Sequence, residues 1–112
     1  MLANQHRLRK KSEIERVLRF GRGVSNERFG LKLAKNDLGV TRFAFAVGLK
    51  VSKSAVKRNR LRRQMREVVR LNLAKIRPNF DVLVMTRQPS LELNFAQISQ
   101  EFARMFKRVG LL

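Results

Sequence analysis

The 112-residue sequence has no cysteine, no tryptophan and no tyrosine, and it holds one histidine, two prolines and eight acidic residues. Without cysteine there is no disulfide, no thiolate nucleophile and no Cys-based metal site, a pattern that suits a cytoplasmic protein. The solitary His6 excludes a His-paired metal centre, no Ser/His/Asp set can be assembled, and a lone His in a basic stretch is more often solvated than catalytic or ligating. Glycines 21, 23 and 48 read as turns and caps and form no phosphate-binding fingerprint. No apolar run approaches the roughly 18 residues of a membrane span. The basic N-terminus lacks the apolar centre of a signal peptide, and no Gly follows Met1 for lipidation. No membrane partner, small-molecule substrate, catalytic side chain or protein-held metal is therefore expected.

What the chain has in excess is positive charge: 26 Lys and Arg against 8 Asp and Glu, a net +18. Apolar residues still make up 44% of it, enough to expect one folded domain over residues 1–112 with a modest core. A compact body carrying that excess repels itself, and the usual compensation is a polyanion whose phosphates neutralise it.

Along the chain, Met1–Lys11 reads as a flexible basic arm. A helix is expected from Ser12, with Glu15 completing a capping box, an apolar stripe of Ile14, Val17 and Leu18, and Gly21 at its end. Gly23 and Val24 open an extended stretch. In Arg28–Ala34, Phe29, Leu31 and Leu33 alternate with Gly30 and Lys32, the period of a half-buried strand. Asn36–Gly39 has turn chemistry. Arg42–Val47 is apolar on both faces and is read as a central strand. A long helix over Ser54–Ile76, a buried-type strand over Phe80–Met85, a break at Gln88-Pro89-Ser90 and a last amphipathic helix carrying Phe95, Ile98, Phe102 and Met105 or Phe106 complete the order α-β-β-β-α-β-α. Phe43, Phe45, Phe80, Phe95, Phe102 and Phe106 are expected in the core. The class is α+β, with a mixed sheet of about four strands.

The long helix is the most informative segment. At about 100° per residue, Leu61, Met65, Val68, Val69 and Ile76 fall on one side and Asn59, Arg62, Arg63, Arg66 and Arg70 on an adjoining one. Arginines stacked this way repel unless an anion lies across them, and the planar fork of Arg binds phosphate oxygens in pairs. A merely solvated helix face normally alternates signs, yet Lys50 to Arg70 holds nine basic residues and one acid, Glu67. Asp81 and Glu67 are expected to be ion-pair partners of arginines rather than bases or ligands.

The run Val47-Gly48-Leu49-Lys50-Val51-Ser52-Lys53, then Arg58-Asn59-Arg60-Leu61-Arg62-Arg63 and Arg66-Glu67, closely resembles the signature of the bacterial ribonuclease P protein family. Arg7-Leu8 and Lys10, Asn26 with Phe29, Asp81-Val82, and Arg87 with Pro89 match the family in order over nearly the whole chain. The resemblance implies an α/β sandwich with a left-handed crossover around the long helix, where sequence pattern alone favours a right-handed one. It implies a subunit of a ribonucleoprotein endoribonuclease whose RNA carries the chemistry, with magnesium serving that RNA. Its partners would be ribonuclease P RNA and precursor tRNA, whose 5′ leader is removed. Lys53, Lys57, Arg58, Asn59, Arg60, Arg62, Arg63, Arg66 and Arg70 would bind RNA, and Arg9, Lys10, Ile14, Leu18, Phe29, Lys32 and Arg87 would line a leader cleft.

Where the family often has aromatics in that cleft, this chain has Ile14, Leu18 and Lys32, and the loop between Ser52 and Arg58 is shorter than usual. Leader binding would then lean on charge and apolar packing, with Phe29 as a stacking surface and Phe20 as a partial substitute. Two other readings remain. A small basic ribosomal protein would use the same helix on ribosomal RNA without a processing role. A DNA-binding protein would insert the helix into the major groove, but its apolar face leaves only one side free.

Overall fold

A computed structural model describes residues 2–112; Met1 lies outside the described residues. Three helices, α1 (Lys11–Phe20), α2 (Ala55–Asn72) and α3 (Phe95–Arg108), enclose four strands, β1 (Arg22–Ser25), β2 (Phe29–Lys35), β3 (Arg42–Ala46) and β4 (Phe80–Thr86). The sheet order is β1-β2-β4-β3. Only the β3–β4 pair is parallel, because α2 carries the chain between them, and the sheet is mixed as expected.

Strand alternation divides the sheet into two faces. Phe29, Leu31, Leu33, Phe43, Val82 and Val84 point to α2 and α3, where they meet Leu61, Met65, Val68, Val69, Ile98, Phe102 and Phe106. Phe29 stands edge-on to Phe102 with centroids 5.2 Å apart. Each such fully buried side chain stabilises the fold by about 1.5–3 kcal/mol relative to exposure. On the opposite face a smaller cluster of Leu8, Val17 and Leu83, flanked by Ile14, Ala34, Ala44 and Met85, seats α1. Gly21 lets α1 run directly into β1: a Cβ there would lie 2.4 Å from the Val17 carbonyl oxygen. Gly39 adopts φ +76 in the turn before β3.

Several expectations are corrected. The N-terminal segment is not a free arm, because Leu2 and Leu8 are buried, the Leu8 amide donates to Phe43 O at 2.8 Å, and Arg7 bridges Phe43 in parallel. His6 is half-buried, with Nδ1 bonded to Thr41 O at 2.9 Å. The docked segment explains a second error: β3 is an edge strand rather than a central one, and residues 7–8 cover its outer edge. α1 begins at Lys11 with Lys10 as its N-cap, so no Ser12–Glu15 capping box forms; the pinned, extended backbone entering from Leu8 sets the start instead. Phe95 is 38% exposed on the first turn of α3, outside the core. The long helix matches expectation, with the Ser54 side chain accepting from the Lys57 amide and Ile76 buried just beyond a closing 3₁₀ turn at Leu73–Lys75.

Candidate nucleic-acid interface

α2 lies across the sheet through Leu61, Met65, Val68 and Val69, and this packing fixes where its charged sides point. Asn59, Arg62, Arg63 and Arg66, with Val56, line one shallow hollow of about 620 Å³. Arg62 is held in place, donating to Asn59 Oδ1 and to Val47 O, each at 2.9 Å. Arg58 donates to Ser52 O at 2.8 Å, so this side chain organises the 47–54 loop as well as facing solvent. The first turn of α2 carries no acid, leaving its amide dipoles to add to the positive potential.

The expected RNA-binding set is not one line. Arg60 is two residues from Arg62, hence roughly 160° around the helix from it, and does not border the hollow. Arg70 is ion-paired with Glu67 through three hydrogen bonds, so its charge is largely answered within the helix. Lys53 and Lys57 are exposed at the helix entrance, outside the hollow.

Arg66 occupies the pivotal position. It borders the α2 hollow and also a second one formed with Arg7, Arg9, Ile14, Ala44 and Phe45. Burial, then the nearby Arg7, Arg62 and Arg9, lower its guanidinium below the ordinary value. Among the described residues no carboxylate lies within ion-pair reach of Arg7, Arg9, Arg62, Arg63 or Arg66. The arginines of α2 and of the N-terminal segment thus form one acid-free surface. Arg7 is not among the residues expected in the site from sequence; the docking of its segment on β3, invisible in the sequence, is what brings it there.

The cleft follows from sheet register. On the α1 face, cross-strand rows read Ser25–Gly30–Met85–Ala46, Gly23–Lys32–Leu83–Ala44, and Ala34–Asp81–Arg42. α1 covers much of the last two rows, leaving the first, mostly small side chains, as an open floor. Lys32 and Arg87 border the resulting groove of about 450 Å³ together with Gly30, Met85 and Thr86. Lys32 Nζ donates to Leu18 O at 3.0 Å, joining floor to rim, and Leu18 is 43% exposed beside it. Ile14 sits farther along the same side of α1, next to Arg9 and Arg66. Arg87 donates to Asn26 O, and Arg9 to Asn4 Oδ1 at 2.9 Å. Lys10 is exposed at the head of α1.

Two expectations about stacking fail. Phe29 is 0% exposed and points to α3, so no base can lie on it. Alternation puts Phe29 and Lys32 on opposite faces, and only the position of α1 tells which face stays open. Phe20 is 73% exposed, but it borders a separate hollow with Arg16, Lys35 and Phe80, beyond the other flank of α1. Met85 and Val24 are the apolar side chains that border the groove, with the exposed Leu18 beside Lys32 and Ile14 farther along α1.

Asp81 is consumed structurally. Burial works to raise its carboxyl, but hydrogen bonds from Arg42, Asn36 and Arg16 outweigh this and hold it below the ordinary range. Among the described residues no three His, Cys, Asp or Glu side chains converge.

A sandwich with one acid-free arginine face running into a groove floored by small and apolar residues defines an α+β nucleic-acid-binding protein. The sequence model of the Ribonuclease P family matches residues 2–110. The ribonuclease P protein component of Symbiobacterium thermophilum is 36% identical over 96% of this chain and 93% of its own, and that of Natranaerobius thermophilus 35% over 94% and 90%. The RNase P protein of Staphylococcus aureus superposes with a TM-score of 0.87 at 25% identity, covering 95% of this chain and 96% of that one. The Thermotoga maritima RNase P protein gives 0.83 at 28%, covering 91% and 96%. The chain belongs to the ribonuclease P protein family. None of these similarities supports a ribosomal protein.

Proposed function

We propose that this chain is the protein component of a ribonuclease P, in which the RNA subunit cuts precursor tRNA and the protein supplies two joined binding surfaces. The hollow of Asn59, Arg62, Arg63 and Arg66 holds backbone phosphates of the catalytic RNA close to the cleavage site. The groove bordered by Lys32, Met85 and Arg87 receives the single-stranded 5′ leader, with Lys32 and Arg87 near its phosphates, Met85 against its bases, and the exposed Leu18 beside Lys32 as a further apolar surface. Arg7, Arg9 and Arg66 extend the first surface to Ile14 on α1, so a strand passing toward the groove starts against positive charge.

The observation that carries this reading is that Arg66 borders both the α2 hollow and the hollow of Arg7, Arg9 and Ile14, with no acid in ion-pair reach among the described residues. Magnesium belongs to the RNA in this scheme, and the protein acts by neutralising phosphate repulsion and lengthening the bound track. The test is reconstitution with candidate RNA subunits. The protein alone should cleave no precursor tRNA and should stimulate its cognate RNA most at low magnesium. Cleavage by pure protein, or copurification from cells with ribosomal RNA instead, would contradict the assignment.

A further inference from the structure

The surface on the far side of β1 is not used by either binding face. There Arg104 and Arg108, one helical turn apart on α3, line a hollow of about 140 Å³ with Ser25, Asn26 and Glu101. Glu101 cannot neutralise them, because its two oxygens are taken by Arg28, at 3.0 Å, and by the Asn26 amide, at 3.0 Å. Among the described residues no carboxylate oxygen lies within 4 Å of Arg104 or Arg108. Arg28 Nε is buried without a hydrogen-bond partner, so donors exceed acceptors in this corner. Arginines in the last turn also favour the helix dipole, but that effect fades within one turn and does not require the pair to face a common hollow.

The position of this notch gives it meaning. Val24 and Ser25 border it and also border the groove of Lys32 and Arg87 on the other face of the sheet. β1 is the edge strand on this side of the sheet, only four residues long, so a chain leaving the groove at Ser25 has one thin strand to cross. We propose that the single-stranded leader, once past the groove, turns over the β1 edge and places its distal phosphates against Arg104 and Arg108, with the Ser25 hydroxyl at the crossing. This rests on the leader reading of the groove and extends it: the protein would measure leader length as well as leader presence.

The test uses holoenzyme reconstituted with its cognate RNA and precursor tRNAs carrying leaders of increasing length. Wild-type affinity should rise with length and then level off. Arg104→Gln with Arg108→Gln should leave short-leader substrates unaffected and remove the last part of the rise. For long leaders alone, the log–log salt slope should fall by about 1.4, two single-strand phosphates at roughly 0.7 each. Arg104→Lys with Arg108→Lys should restore most of the affinity. Equal weakening at every length would assign the notch to another part of the complex and overturn the proposal, as would no weakening at all. If wild-type affinity shows no leader dependence, the leader reading of the groove fails and this inference fails with it.

Discussion

Arg42 holds Asp81 through two parallel hydrogen bonds of 2.8 Å, Nε to Oδ1 and Nη2 to Oδ2. The same guanidinium reaches Glu13 on α1 at 2.9 Å, and Arg16 on α1 reaches Asp81 at 3.2 Å. One buried carboxylate therefore ties β3, β4 and α1 together. Its bonds to Arg42, joined by those of Glu13, hold the Arg42 guanidinium above its ordinary pKa. The clamp lies where α1 is fastened to the sheet, in the Ala34–Asp81–Arg42 row and away from the row that floors the groove.

Asp81→Asn should destabilise the fold by about 1.5–3 kcal/mol, because Arg42 loses its two charge-assisted hydrogen bonds to Asp81 and keeps only Glu13 as a counter-charge. Acid should do the same. Folded, Asp81 ionises below its usual range; unfolded, it ionises near about 3.9, so the unfolded chain binds more protons in that window and stability rises with pH. The contribution is complete above about pH 5 and is lost as pH falls through the folded-state value. Urea unfolding across this range, at constant sulfate, should show an acid limb that is flatter in Asp81→Asn. An unchanged limb would assign acid sensitivity to other groups.

Leu18→Phe should tighten leader-dependent binding. Leu18 is 43% exposed on the groove rim, so the larger ring has room, and a stacked base contributes about 1–3 kcal/mol. Comparing affinities for precursor and leaderless tRNA isolates the effect: a gain of roughly fivefold or more, at about 1 kcal/mol, should appear only with the leader. Equal gains on both substrates would place Leu18 outside the leader site.

Phe29→Leu separates core from cleft. The ring is fully buried against Phe102, so stability should drop by about 1–2 kcal/mol while leader-dependent affinity stays unchanged. Weakened leader discrimination at unchanged stability would restore Phe29 to the binding surface.

The free protein should be partly unfolded at low ionic strength and gain structure on addition of sulfate or phosphate. Its +18 charge is packed within a Cα radius of gyration of 13.0 Å, and among the described residues no carboxylate pairs with Arg62, Arg63 or Arg66. Circular dichroism during a sulfate titration reads this directly, and full helicity without anion would show that charge does not limit stability.

Local periodicity carries much of the fold. The alternation in β2 and the apolar stripe of α2 are each properties of residues close in sequence, and each appears where expected. What cannot be read locally depends on distant partners. β3 reads as central because both its faces are apolar, yet its outer edge is covered by residues 7 and 8, which no pattern within β3 reveals. The same docking turns a basic arm into part of the arginine surface. The expectation for Phe29 fails for a related reason: alternation separates two faces but does not say which one a helix leaves open. Arg60 belongs to a contiguous motif, although helical geometry turns it away from Arg62 and Arg66.

The most direct test of the binding surface is the salt dependence of RNA affinity when Arg62, Arg63 and Arg66 are replaced together by Ala. If these side chains lie along phosphates, binding weakens and the log–log slope becomes shallower by about 0.7–0.9 for each phosphate no longer neutralised. Weaker binding with an unchanged slope would mean that the phosphates are held elsewhere on the protein.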